Sequence, residues 1–197
     1  MTYWARLGGA SSGHGVMLDL AANPRLRRLH RIARLRVTFG FVVAVVALWL
    51  ATPSCSSITA GVAIAVVGEL LRFWASGHLR KGQELTSSGP YRFTRHPLYL
   101  GSLIIGVGFS IAAADVLVAC LVLGYLVPMF SVAIALEDAT LRATFGSDYD
   151  RYVAGWREHM SRGFSLTQAV RNGEHQAVLG FVGVLALLGL KVWFSAV

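Results

Sequence analysis

The chain has 197 residues, 55% of them hydrophobic and only 14% charged, with a net charge of +8 at pH 7 and a mean hydropathy of +0.58. That balance excludes an ordinary soluble domain. The positive excess is accounted for by anionic lipid headgroups; no nucleic-acid recognition motif accompanies it, so membrane lipids and not nucleic acid are the expected surface partner.

Residues 1–23 lack a continuous apolar core and are interrupted by Gly8, Gly9, Gly13 and Gly15. They read as an interfacial arm and not as a signal peptide. Asn23 and Pro24 form a cap and first helical residue, opening a helix whose basic first half leads into an apolar run at 37–51. A second span is predicted over 58–76, carrying Glu69 and Arg72. Three residues apart on a helix, these two can pair, and Arg72 is near enough to the span's end to snorkel.

Spans at 98–114 and 116–136 are joined by almost nothing, which demands an antiparallel hairpin. A fifth covers 177–196 and includes Lys191. Gly61, Gly68, Ser102 and Gly106 supply small-residue faces for close helix approach. Cys55 and Cys120 lie toward the same face, and their sequence leaves open whether they pair. His78, His159 and His175 have no partners at metal-ligand spacing, so no metal is expected, and the three read as interfacial.

The fold class is therefore all-α: a polytopic membrane helical bundle of about five transmembrane helices. It forms one membrane domain over 1–197, with an arm and basic helix at 1–36, a four-span core at 37–136, an amphipathic segment at 137–176 and the fifth span at 177–197. Lys and Arg concentrate before the first span, between the second and third (Arg80, Lys81, Arg92, Arg95) and between the fourth and fifth (Arg142, Arg151, Arg157, Arg162, Arg171). By the positive-inside rule the N-terminus is cytoplasmic, the C-terminus lies outside, and the charged connections face the cytoplasm.

Two of those connections carry chemistry. Residues 89–101 read Gly-Pro-Tyr-Arg-Phe-Thr-Arg-His-Pro-Leu-Tyr-Leu-Gly and open directly into the third span. Pro97 suits a first helical position, so the free N–H groups and positive dipole end of that helix face the same spot as Arg95 and His96. A carboxylate or phosphate would be held well there.

The second cluster begins where the fourth span ends, with Glu137 and Asp138, then Arg142, Gly146, Ser147, Tyr149 and Tyr152. Adjacent carboxylates oppose the dipole at a helix C-terminus, so another interaction must favour them. Either Asp138 pairs with Arg142 four residues on, or the two acids face a ligand that offers hydroxyls or a cation. Gly146 marks a helix stop, Ser147 is a candidate cap for the next helix, and that helix would carry Tyr149 and Tyr152 on one face.

Taken together, Gly89-Pro90-Tyr91 with Arg95-His96-Pro97-x-Tyr99-x-Gly101, then Glu137-Asp138-x-x-Leu141-x-x-x-Phe145-Gly146-x-x-Tyr149-x-x-Tyr152, resemble the isoprenylcysteine carboxyl methyltransferase family. The phospholipid amine N-methyltransferases are related to it. Leu71-Arg72-Phe73-Trp74-Ala75 is similar to the run that precedes the first motif there, so the resemblance covers about 68–152.

It implies S-adenosyl-L-methionine as cofactor, held in a cytoplasm-facing pocket by Tyr91, His96, Pro97, Tyr99, Gly101, Glu137 and Asp138. It also implies a lipophilic or lipid acceptor: an isoprenylcysteine-like carboxylate, a phospholipid amine, or a small hydrophobic acid or thiol. Glu137 is then the candidate base for an amine acceptor. Arg95 and Arg142 are candidate cations for a carboxylate acceptor, and Tyr149 and Tyr152 are candidate substrate contacts.

The chain departs from the pattern at three places. Asp138 replaces a glutamate, Val132-Ala133-Ile134-Ala135 lacks the expected basic residue, and the proline after the last tyrosine is missing. Two rivals remain open at this stage: an NADPH-dependent membrane reductase of the steroid-reductase type, and a non-catalytic scaffold.

Overall fold

A computed structural model of the chain describes residues 24–156 and 162–196; the N-terminal arm at 1–23 and His159 lie outside the described residues. Helix α1 spans Pro24–Leu50, with Pro24 at its first position, so the basic stretch and the first apolar run form one helix. Then come α2 (Cys55–His78), a short 3-10 turn (Gly89–Arg92), α3 (Pro97–Ala113), α4 (Val116–Phe145), α5 (Ser147–Val153), α6 (Leu166–Arg171) and α7 (Glu174–Ala196). Among the described residues the regular elements are all helical.

Among the described residues three helices are long and apolar enough to cross a membrane: Cys55–His78, Val116–Phe145 and, within α7, Glu174–Phe194. Two shorter apolar helical stretches, Thr38–Leu50 and Pro97–Ala113, complete the bundle. Large apolar side chains face outward along it, among them Phe41, Trp49, Leu179 and Phe194. A water-soluble protein would bury such residues; here they are the lipid-facing surface.

Lipid does not drive helices together as water does, so close backbone packing must. The tightest seam runs between α2 and α3 and is built on glycine. A Cβ on Gly68 would lie 2.6 Å from the Gly101 carbonyl oxygen, and one on Gly61 would lie 2.4 Å from that of Gly108. Helix α4 packs on both α1 and α3, and α7 lies against α2.

At one end of the bundle a close-packed core gathers Ala47 and Ala51 of the first turn region with Ala112, Ala113, Val118 and Leu188. Polar groups at that end are satisfied. Ser54 and Ser57 form a reciprocal cap at the start of α2. Ala114, in the left-handed region at φ 51°, turns the α3–α4 hairpin, and Asp115 caps α4 by accepting from Val118 N–H at 2.9 Å. Lys191 donates to the Leu48 and Trp49 carbonyls at the end of α1, at 2.9 and 2.6 Å. Cys55 and Cys120 are both free and exposed.

At the other end α6 folds under α2 and caps it. Asn172 donates to the Ser76 and Leu79 carbonyls at 2.8 and 2.9 Å, and Gln168 donates to Leu79 at 3.0 Å. Phe164 packs against Phe73 with the rings tilted at 41° and fills the space left by Gly77. His78, expected at the interface, is instead buried, with Nδ1 3.1 Å from Ser88 Oγ. This second end holds both of the charged sequence clusters, at 89–101 and 137–152.

Candidate functional site

Pro97 fixes where α3 begins, and the residue before a proline is kept out of the α region. His96 accordingly takes φ −129°, ψ 58° as the residue before the helix, and its side chain makes no capping bond. Arg95 and His96 therefore stand on a turn at the open N-terminal end of α3. Helix α4 supplies the facing wall. With 30 residues it is about 45 Å long at 1.5 Å per residue, more than the roughly 30 Å of bilayer hydrocarbon. Its last turns can thus carry Glu137 and Asp138 beyond the apolar layer.

The two walls meet closely. His96 Nε2 lies 3.0 Å from Asp138 Oδ1, and Nδ1 lies 3.9 Å from Glu137 Oε2. The nearer contact is misaligned, so Nε2 is buried without a hydrogen-bond partner. Arg95 stands 3.9 Å from Asp138 Oδ2. Tyr99, one turn into α3, stands within the field of Glu137, and its ring lies between those of His96 and Phe130, at 6.0 and 5.5 Å.

Helix α5 closes over this pair. Its cap is Gly146 at φ 54°, with no side-chain bond, so the expected Ser147 cap does not form. Tyr149 and Tyr152 do share a face; both are buried, with rings stacked at 23° and 6.2 Å. Tyr149 donates to Asp138 Oδ1 at 2.5 Å, and Tyr152 donates to the Thr86 carbonyl at 3.1 Å. Arg142 does not pair with Asp138. It binds Asp150 at 2.9 Å and lies 5.7 Å from the Tyr149 ring centre, which ties α4 to α5.

Tyr91 is buried beneath the site, and burial, reinforced by the charge on Glu137, pushes its phenol well above the ordinary tyrosine range. Burial and then the bond to Asp138 do the same for Tyr149. Both are thus neutral hydroxyls at neutral pH. Pro97 is buried at the helix start. Gly101 sits in the α2–α3 seam, where a Cβ would lie 2.7 Å from both Gly68 O and Arg72 Cγ; its bareness serves helix approach.

Sequence reasoning missed a second charged layer. Arg72 does not snorkel to the surface: it donates to Glu174 at 3.0 and 3.4 Å and also binds Ser102 Oγ. Glu69, its expected partner, is 3.8 Å away. Lys81, though accessible, has its ammonium within the field of Glu137, Glu174 and Arg72; the surrounding protein lowers its pKa, and the two acids oppose that shift. Glu174 opens α7, where the dipole rule favours an acid, but only the fold brings it to Arg72.

These features define a polytopic helical membrane protein with one polar, partly dry site at the mouth of its bundle, where a cationic helix N-terminus faces paired acids. Residues 35–148 match the phospholipid methyltransferase family, and the chain belongs to it.

The chain is also similar to the cobalt-zinc-cadmium resistance protein CzcN of Cupriavidus metallidurans, at 32% identity over 147 residues, which are 68% of this chain and 65% of that protein. The nickel-cobalt-cadmium resistance protein NccN of Alcaligenes xylosoxydans xylosoxydans matches at 32% over 94 residues, 47% of this chain and 42% of that protein. The chain thus spans less than two thirds of either relative's length. No solved structure matches. Among the described residues, no group of three or more His, Cys, Asp or Glu is placed to hold a metal ion.

Proposed function

We propose that the chain is an S-adenosyl-L-methionine-dependent methyltransferase that acts on a lipophilic, membrane-partitioned acceptor from the cytoplasmic side. The observation that carries this is the buried, unpartnered His96 Nε2 between the N-terminus of α3 and the acids of α4. Such an atom is costly unless a ligand completes it.

The donor set fits the group. Arg95, His96 and the uncapped helix N-terminus suit a carboxylate; Glu137, Asp138 and the Tyr99 and Tyr149 hydroxyls suit an ammonium, ribose hydroxyls and a sulfonium. When bound, the cofactor supplies an electrophilic methyl group. The residues of this chain would then orient and exclude. Tyr91, Tyr149 and Tyr152 close the site from water, which raises the value of each polar contact inside. Glu137 would accept a proton from an amine acceptor, and Arg95 would position an anionic one.

Calorimetry with S-adenosylmethionine, S-adenosylhomocysteine and NADPH on detergent-purified protein tests this. Binding of the first two, weakened in Glu137→Gln, is the expected result. Binding of NADPH in their place would sink the reading in favour of a reductase, and binding of none of the three would favour a scaffold.

A further inference from the structure

Inside the bundle, between α1, α2, α3, α4 and α7, lies a cavity of about 400 Å³. Leu48, Phe109, Val122, Phe181 and Val184 are among its apolar walls. Its charged and polar groups collect toward one end, where Glu69, Arg72 and Ser102 line it. Part of the wall belongs to α7, beyond the residues that match the family.

Glu69 decides what this cavity can hold. Its residue surface is only 9% exposed, and Oε1 is buried with no hydrogen-bond partner. Arg72 does not satisfy it, because Arg72 is committed to Glu174 and Ser102 and stays 3.8 Å from the other Glu69 oxygen. A carboxylate in such surroundings requires a donor or counter-charge, or it is strongly destabilising. Two acids, Glu69 and Glu174, share the single guanidinium of Arg72 within 4 Å, so a donor that also carries positive charge is the partner that fits Oε1. The volume, at the lower end of the about 300–1,000 Å³ usual for small-molecule pockets, suits one hydrocarbon chain and not two.

We infer that this cavity is a binding site for a single-chain amphiphilic amine, with the ammonium donating to Glu69 Oε1 and the chain lying along Phe109, Val122 and Val184. Its polar end adjoins the methyl-transfer site. Phe130 lines the cavity and packs on Tyr99, whose ring in turn lies against His96. The identification of this amine as the methyl acceptor rests on the methyltransferase reading; the binding site itself does not.

Native mass spectrometry of the full chain, titrated separately with dodecylamine, dodecanol, dodecanoate and a two-chain phosphatidylethanolamine, tests the site without turnover. The expected result is one dodecylamine per chain, bound in preference to the other three and weakened about tenfold or more by Glu69→Gln, the loss of a charge-assisted bond. Val184→Trp fills the cavity while leaving Glu69 in place, and should abolish amine binding yet retain S-adenosylhomocysteine binding. Equal binding of all four probes, or amine binding unchanged in Val184→Trp, would overturn the site. That second variant decides the matter even if Glu69→Gln does not fold. Loss of S-adenosylhomocysteine binding in the wild type with amine binding intact would instead strike the methyltransferase reading alone.

Discussion

The two ends of the bundle are built on opposite terms. At the sealed end, alanines close the core, Asp115 caps α4, and Lys191 takes up the carbonyls that end α1. At the open end, His96 lies within 4 Å of Glu137 and Asp138 without a hydrogen bond to either, and among the described residues two buried atoms, Glu69 Oε1 and His96 Nε2, have no hydrogen-bond partner. Unsatisfied polar groups are rare in folded proteins because each is costly. Their concentration at one end, beside the paired acids, sets that end apart from the sealed one.

The seam that joins the two ends is the most sensitive place to break. Gly68→Val would drive a side chain into the Gly101 backbone, and backbone on both sides cannot yield. Overpacking of this kind costs about 1–3 kcal/mol and often more, so the variant should fail to purify as a monodisperse folded protein by size-exclusion chromatography.

A change at the open end should separate binding from folding. His96→Ala removes the unpartnered ring nitrogen and should weaken S-adenosylhomocysteine about tenfold or more in calorimetry, with the thermal unfolding midpoint unchanged or raised. A lowered midpoint with intact binding would make His96 a structural residue.

The sealed end predicts the reverse. Lys191→Met leaves the last α1 carbonyls without their cation and should cost about 1–2 kcal/mol in thermal unfolding, while ligand binding at the other end stays as it was. Loss of binding would show that the ends are coupled through α7.

The smallest effect belongs to the strap under α2, where Arg162 bonds Glu84 and holds its carboxyl below the ordinary value of 4.5. A carboxylate depressed in the fold contributes stability that is fully present above its unfolded value and is lost as pH falls through the folded one. Limited proteolysis at 162–165 should therefore accelerate as the pH falls below 4.5, by less than about 1 kcal/mol of opening energy, as for surface pairs. Arg162→Ala should remove the acid dependence.

Much of this site is legible in the chain because its parts are local. Pro97 announces the start of α3 and so places Arg95 and His96 beside free N–H groups, whatever else the helix touches. Gly146 stops α4 and frees a short helix with Tyr149 and Tyr152 three apart. Partners separated by long stretches were not legible. Arg142 is four residues from Asp138, the spacing of a helical pair, yet it turns to Asp150, while Asp138 accepts from Tyr149. Arg72 reads as the partner of Glu69 and is taken by Glu174, 102 positions away.

The sequence by itself determined the helical membrane class, the hairpin at 114–115 and the pairing of a cationic helix start with an acidic helix end. These follow from hydropathy, proline and glycine chemistry and the helix dipole, all of which act within a few residues. Tertiary structure alone decided that α6 caps α2, that α7 completes the charged layer, and that Glu69 is left with an open oxygen inside a cavity. Such outcomes depend on which helices pack side by side, and no local rule sets which distant charge reaches a buried carboxylate first.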